Sequence, residues 1–377
     1  MDPRFERVLA YIRALPSDGK VLVLPSTDFG YQVVHGTNNG AYIGRSMIGQ
    51  LTGKKDFAGY QDMAPFSESF WRLSKEKDYD AVKRLLSLLN IQYIFYNSDP
   101  LVFDTTFPDR PYSPDYVRKF LPKNQREYRE YVNEITTRNV FTEGPYEVYK
   151  LEADDLLPHV YIAKNLLLYD DAPVTDAYAK SRVFFDDRVK KEQRAVYIER
   201  NVCKRIFPDA SCQENAIPQN VDDMKIQFQQ MSPIKYKVNV FNARKPYTLV
   251  FADVYHRNWK IFISPKNVDA IPVREVYFSG EIVEGKPQHV FFDRKSLETL
   301  RMNSIPAQKH FVVNGYANAW YVDPGDIGVM TNYEFIIELT SQRYFYIGIL
   351  ISLMTGVYVL LVAGFGIIMR MSAPRKA

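Results

Sequence analysis

From Tyr344 to Met369 the chain runs without a charge, YFYIGILISLMTGVYVLLVAGFGIIM, and Arg370, Arg375 and Lys376 follow. About 26 residues rising about 1.5 Å each reach across a hydrocarbon core of about 30 Å with some tilt. A buried helix of a soluble domain rarely goes so far without a polar face, so this segment is expected to span a membrane. Tyr344, Phe345 and Tyr346 stand where an aromatic belt would lie, and the basic tail is expected in the cytoplasm under the positive-inside rule. The residues before Gln342 are then expected outside it.

The opening residues, MDPRFERVLAYIRALPSDGK, carry charges throughout and no apolar run of the kind a signal peptide needs. Two expectations stay open. Export depends on upstream transmembrane segments absent from this chain, or the protein is tail-anchored with its bulk in the cytoplasm.

The part before the span, about 340 residues, is enough for two domains or three. Its 48 basic and 44 acidic residues nearly balance, at a net charge of +4, and form no compact basic stripe, which argues against nucleic acid as a partner. With 27 Tyr, 24 Phe and 3 Trp, the aromatics suit strands, and they also suit surfaces that stack on sugars.

The texture of the chain changes midway. An apolar helical spacing over about Arg4 to Ala14 leads to the continuous run KVLVL at Lys20–Leu24, then an amphipathic stretch at Tyr79–Leu89 leads to IQYIFY at Ile91–Tyr96. These read as helices feeding buried strands of a small parallel or mixed sheet. A mostly polar helix is expected around Pro114–Val132.

Beyond it come short runs rich in Val, Ile, Tyr and Phe: Glu147–Leu151, His159–Ala163, Arg182–Asp186, Ala195–Ile198, Lys225–Phe228, Tyr236–Phe241, Tyr247–Val254 and Trp259–Ile263. Further strands are expected at Arg274–Phe278, Gln288–Phe292, His310–Val313 and Tyr333–Leu339. Turn-forming residues separate them, as in an antiparallel sandwich. The alternation is cleanest at Ile234–Phe241, where Lys235, Lys237 and Asn239 face away from the apolar set. The expected fold is α+β: a small α/β lobe at 1–140, an antiparallel β-sandwich at 141–341, a transmembrane helix at 342–370 and a basic cytoplasmic tail at 371–377.

Catalytic motifs are missing: there is no GxSxG, Walker loop, HExxH or CxxC, and the five histidines share no ligand spacing. No metal site and no cofactor are expected. Cys203 and Cys212 lie in NVCKRIFPDASC and read equally well as a disulfide closing a short loop or as two free thiols. The acidic pairs, such as Asp170-Asp171 and Asp186-Asp187, suit turns and caps as well as chemistry.

Two segments are more specific. PYTLVFADVYHRNWKIFI, Pro246–Ile263, turns from one strand into another through Tyr255 and Trp259, and HFVVNGYANAWYVD, His310–Asp323, brings Asn314, Tyr316, Asn318 and Trp320 close together. Amides beside Tyr and Trp rings suit sugar hydroxyls and pyranose faces, so these six are the candidate glycan-binding residues. The same residues also suit core packing and turns.

The succession KVLVLP, FGY, LNIQYIFY, PYEVYKLEADDLLPHVYIA, PYTLVFADVYHRNWKIFI and HFVVNGYANAWYV before a terminal span resembles the C-terminal extracytoplasmic region of large polytopic bacterial membrane proteins. These are the GT-C-type glycosyltransferases and the YfhO-like proteins. LNIQYIFY resembles their Leu-Gly-Val-Lys-Tyr-Ile element. The turn Tyr255-His256-Arg257-Asn258-Trp259 resembles their Tyr-Pro-Gly-Trp turn.

The catalytic block of such enzymes, many N-terminal transmembrane helices working on a polyprenyl-phosphate-linked sugar, has no counterpart here. The resemblance therefore implies a non-catalytic extracytoplasmic module of a cell-envelope glycan assembly system. It would position an acceptor glycan or a lipid-linked sugar beside a polytopic membrane partner. Two rivals stand beside this: an enzyme with its site around Asp28, His35 and Asp62, and a structural or protein-interaction protein with no glycan ligand.

Overall fold

The computed structural model describes residues 2–15, 19–25, 31–34, 40–43, 48–57, 67–99, 122–136, 138–151, 157–170, 194–207, 212–232, 234–267, 298–328 and 331–372. The strands expected at 182–186, 274–278 and 288–292, and the rival site at Asp28, His35 and Asp62, lie outside these residues.

Helix α1 (Pro3–Ala14) starts on Asp2, whose carboxylate accepts from the Arg4 amide, and leads into strand β1 (Lys20–Leu24). A short hairpin of β2 (Tyr31–Val34) and β3 (Gly40–Ile43) follows, then helix α2 (Ile48–Thr52) and the two-residue β4 (Asp56–Phe57). Helices α3 (Ser67–Glu76) and α4 (Tyr79–Leu88) lead to β5 (Ile91–Asn97), and α5 (Gln125–Ile135) to the hairpin β6 (Arg138–Glu143) and β7 (Tyr146–Lys150).

These strands form one sheet in the order β4-β1-β5-β7-β6, parallel across β4, β1 and β5 and antiparallel from β5 onward. Strand pleating sorts the side chains. Val21, Val23, Tyr93, Phe95 and Val148 pack under α1, whereas Leu22, Leu24, Ile94 and Tyr96 pack with Phe70 and Trp71 of α3, Leu85 of α4 and Tyr131 of α5. The expected mixed sheet is present, and the helix expected at 114–132 appears among the described residues as α5.

Glu147–Leu151, expected in the sandwich, falls instead mostly in β7 of this lobe, so the lobe's sheet runs on to Lys150. A hairpin strand carries the same alternation whichever sheet receives it, and β5 offers the open edge next to it.

Past it, β8 (Val160–Ile162), β9 (Asn165–Tyr169), β10 (Ala195–Glu199), helix α6 (Arg200–Ile206) and β11 (Ala216–Pro218) are followed by β12 (Lys225–Ser232), β13 (Lys235–Phe241), β14 (Tyr247–Val254) and β15 (Trp259–Asn267). Then come β16 (His310–Val313), β17 (Ala317–Val322), the single turn α7 (Pro324–Ile327) and β18 (Tyr333–Leu339). Two four-stranded antiparallel sheets, β12-β13-β18-β15 and β16-β17-β14-β8, face one another. Their shared core holds Phe228, Tyr236, Val238, Leu249, Phe251, Trp259, Trp320, Phe335 and Ile337.

The β14 sheet is buried on its other face too: Val250, Tyr161, Phe311 and Ala319 pack into the core that serves the first lobe and the small sheet β10-β9-β11. The hairpin between β16 and β17 turns on Asn314 and Gly315, both with positive φ (54° and 70°), as the Asn-Gly pair predicts.

Cys203 of α6 is bonded to Cys212 across a sequence separation of 9, resolving the alternative left open by the sequence. Arg200 holds the same loop, donating to the carbonyls of Cys212 and Glu214 and pairing with Asp170 at 2.7 Å. Closing so short a loop is worth about 3 kcal/mol in the chain-entropy account. Cys203→Ser is therefore expected to lower unfolding free energy by about that much in urea denaturation, and a drop equal to that of wild type under reductant checks the assignment.

Helix α8 (Ser341–Ser372) follows β18 after Thr340 alone. Its stretch Ser341–Phe365 is long and apolar enough to cross a membrane, and none of that stretch is buried in the protein.

Candidate functional site

Of the six side chains singled out in the sequence, five are buried. Asn314 takes the Tyr197 amide hydrogen at 2.9 Å on its Oδ1 and points its Nδ2 at the Tyr161 hydroxyl, 3.4 Å away. Tyr316 donates to the Leu88 carbonyl at 2.7 Å, tying the β16–β17 hairpin to the end of α4. Trp259 is 5% exposed and, with Tyr236 and Phe251, forms a three-ring enclosure around the Lys55 ammonium, with centroids 6.0, 5.5 and 5.6 Å away. Lys55 is also paired with Asp253. Burial opposes its charge, but Asp253 and the Tyr236 hydroxyl outweigh that and raise its pKa. Beside it Lys20, 2% exposed, donates to the Ala252 carbonyl at 2.6 Å. Two lysines of the α/β lobe thus dock onto the sandwich through cation–ring and charged hydrogen bonds, and Trp259 belongs to that joint.

Asn318 and Trp320, 0% and 1% exposed, support a cluster that reaches the surface through Tyr255 and His310. The Asn318 amide nitrogen donates to the carbonyls of Asp253 (2.8 Å) and Val254 (3.3 Å), which fixes its oxygen as the acceptor for the His256 amide at 3.2 Å and for His310 Nε2 at 3.1 Å. His310 therefore carries its proton on Nε2. Its Nδ1 is the acceptor of the ring and makes no hydrogen bond to a described residue.

The His310 ring lies flat on Trp320, 4.5 Å away with planes 6° apart, and Tyr255 covers it at 4.8 Å. Burial pulls the His310 pKa down to about 4 against the opposing Asn318 hydrogen bond, so the ring is neutral at ordinary pH. The result is a half-buried Tyr–His–Trp stack with exposed His256 and Arg257 at its rim. Sequence reasoning passed over His310 because its spacing matched no metal or catalytic pattern. The signal lay in strand alternation, since His310 pairs across the ladder with Trp320 and so shares its face.

The turn carrying Tyr255 is fastened to the start of α8. Asn258 Nδ2 donates to Ser341 Oγ at 2.8 Å, and Thr340 donates to the Asn258 carbonyl through its backbone N–H and its hydroxyl, both at 2.9 Å. On the opposite sheet face Glu338 accepts from Arg343 Nε at 2.9 Å and from the Thr299 hydroxyl at 2.5 Å. Among the described residues no group of three or more His, Cys, Asp or Glu side chains is arranged to hold a metal.

No protein-family model and no curated protein matches the chain. Among solved structures it is similar to the C-terminal globular domain of the oligosaccharyltransferase of Archaeoglobus fulgidus, at 13% identity and a TM-score of 0.25, over 40% of this chain and 99% of that one. A likeness that loose bears on neither mechanism nor ligand.

Proposed function

We propose that this chain is a membrane-anchored extracytoplasmic module of a cell-envelope glycan assembly system, holding an acceptor glycan or a lipid-linked sugar at the membrane surface beside a polytopic partner. The observation that carries the reading is the bond from Asn258 to Ser341: the aromatic cluster and the first turn of the apolar helix are parts of one hydrogen-bonded junction. A sugar held there is at headgroup height, where a lipid-linked donor presents its saccharide. Tyr255 supplies a ring for a pyranose face and His310 Nδ1 an acceptor for a hydroxyl, the mixture of apolar face and directed polar group that sugar sites use. The disulfide suits an oxidising compartment, and the basic residues after the span suit the cytoplasm.

The test is binding of a polyprenyl-phosphate-linked sugar to the full chain in nanodiscs. Tyr255→Ala and His310→Ala are each expected to weaken binding about tenfold while the fold is retained. Unchanged binding in both variants moves the sugar site away from Tyr255 and His310, and capture of a protein partner through this face with no sugar bound to the wild type selects the protein-interaction reading instead.

A further inference from the structure

We infer that the end of the sandwich beside α8 is a docking surface for anionic phospholipid headgroups, so that the module lies against the bilayer and is not merely tethered to it. This rests on the membrane-spanning reading of α8 and not on the sugar. Four observations converge. Outside α8, the large apolar side chains exposed among the described residues are Val254 and Leu300, each 55% exposed. Both belong to the junction: Val254 immediately precedes the Tyr255–Asn258 turn, and Leu300 follows Thr299, whose hydroxyl is held by Glu338 and Arg343.

The charges around them are one-sided. Asp253, Glu298, Glu334 and Glu338 are each paired with a cation, Lys55, Lys235 (2.7 Å), Lys237 (3.5 Å) and Arg343 (2.9 Å) respectively. Arg257, Lys260 and Arg301 are exposed and make no ion pair with a described residue. The ladder places Lys260, since Trp259 pairs with Leu339 and Lys260 with Glu338, within three residues of Ser341; Arg257 lies in the turn just before Trp259, and Arg301 is adjacent to Leu300.

Surplus cations around an exposed leucine, at the root of an apolar helix, match a leaflet surface: phosphates outside, acyl chains just beneath. A soluble anion would satisfy the arginines and leave Leu300 in water. The continuity of the patch with the span and its charge therefore favour lipid as the occupant.

The test uses the full chain in vesicles of phosphatidylcholine, with and without phosphatidylglycerol. An environment-sensitive fluorophore is placed at Leu300→Cys, with Asp223→Cys as reference; position 223 precedes β12, about 25 Å along that strand from the junction. The native cysteines are bonded to one another, leaving the introduced thiol for labelling. In anionic vesicles the probe at 300 is expected to emit at shorter wavelength and to be quenched by headgroup-labelled lipid, while the probe at 223 is not. Arg257→Glu with Lys260→Glu and Arg301→Glu should return the 300 emission toward that of 223.

If the two probes emit alike while the protein still floats with the vesicles, docking is overturned and anchoring stands. Equal quenching at 300 with and without phosphatidylglycerol overturns the role of charge, and loss of flotation overturns anchoring and docking together. Sugar binding lost in Tyr255→Ala with the 300 probe still at the surface leaves the docking in place.

Discussion

Trp320→Ala is expected to unfold the sandwich far more readily than it disturbs any ligand. The indole is buried in the shared core between the two sheets, next to Leu249 on its ladder partner, and it carries the His310 ring on its face. Removing so large a buried ring costs about 3–5 kcal/mol, from lost transfer energy and the cavity left behind. In a domain of this size that is a fall of roughly 10 °C in Tm. Trp320→Phe keeps most of the volume and should lose much less. Calorimetry of the three proteins decides the matter. A melting temperature unchanged in Trp320→Ala, with sugar affinity gone, would restore the indole to the ligand-stacking role that its sequence neighbourhood suggests.

The second large effect is acid lability in a window that carboxylates do not share. His159 is buried beside Tyr236 and Phe251, and burial, then the positive charges of Lys55 and Lys20, hold its pKa well below the usual imidazole value. His310 is held at about 4. Both stay neutral in the folded protein while the unfolded chain takes up protons below about pH 6.5. Their contribution is complete above that pH and is lost as the pH falls toward the depressed folded values. A histidine whose folded pKa lies below the interval costs about 1.4 kcal/mol per pH unit, so His310 removes roughly 2 kcal/mol by pH 5 and His159 adds to the loss in the same direction. Total stabilities run to about 5–15 kcal/mol, which makes this a large share.

Glu147, whose carboxyl is buried but held by Arg129 and the Tyr149 hydroxyl, has a lowered pKa, and its contribution is lost only as the pH falls below the usual carboxylate value. Urea titrations at pH 7.5 and pH 5 therefore isolate the histidines. His310→Gln should lower the slope, and a flat profile across this interval would show that neither ring is kept neutral by the fold.

How far the sequence disclosed this molecule depends on what each pattern encodes. Alternation in Tyr236–Phe241 and the continuous runs KVLVL and IQYIFY report burial on one face or two, and the strands formed as expected. Alternation does not report which sheet receives a strand. Tyr146–Lys150 joined the first lobe because β5 had a free edge adjacent to it in space, a fact with no trace in the strand's own residues.

Asn314, Asn318 and Trp320 expose a second gap. An amide within an apolar strand looks the same whether it awaits a ligand or braces a turn. Only the partners, a backbone amide at Tyr197 and two carbonyls at Asp253 and Val254, tell the difference. Tyr255 alone of the six keeps part of its ring at the surface, and His310 joins it there through ladder pairing that a spacing search does not see.

The passage from β18 to α8 through Thr340 has a mechanical meaning. A linker of many residues would let the apolar helix lean while the body above stayed upright. Here one residue, clamped by Asn258 on one side and followed by an arginine locked to Glu338 on the other, joins a central strand of the sandwich to the helix. Helix tilt and module attitude are then a single variable. An apolar helix that spans a bilayer adjusts to a thinner one by leaning; with α8 in the spanning role proposed above, such a lean would swing the whole sandwich as a lever arm, carrying Tyr255 and His310 toward the lipid or away from it.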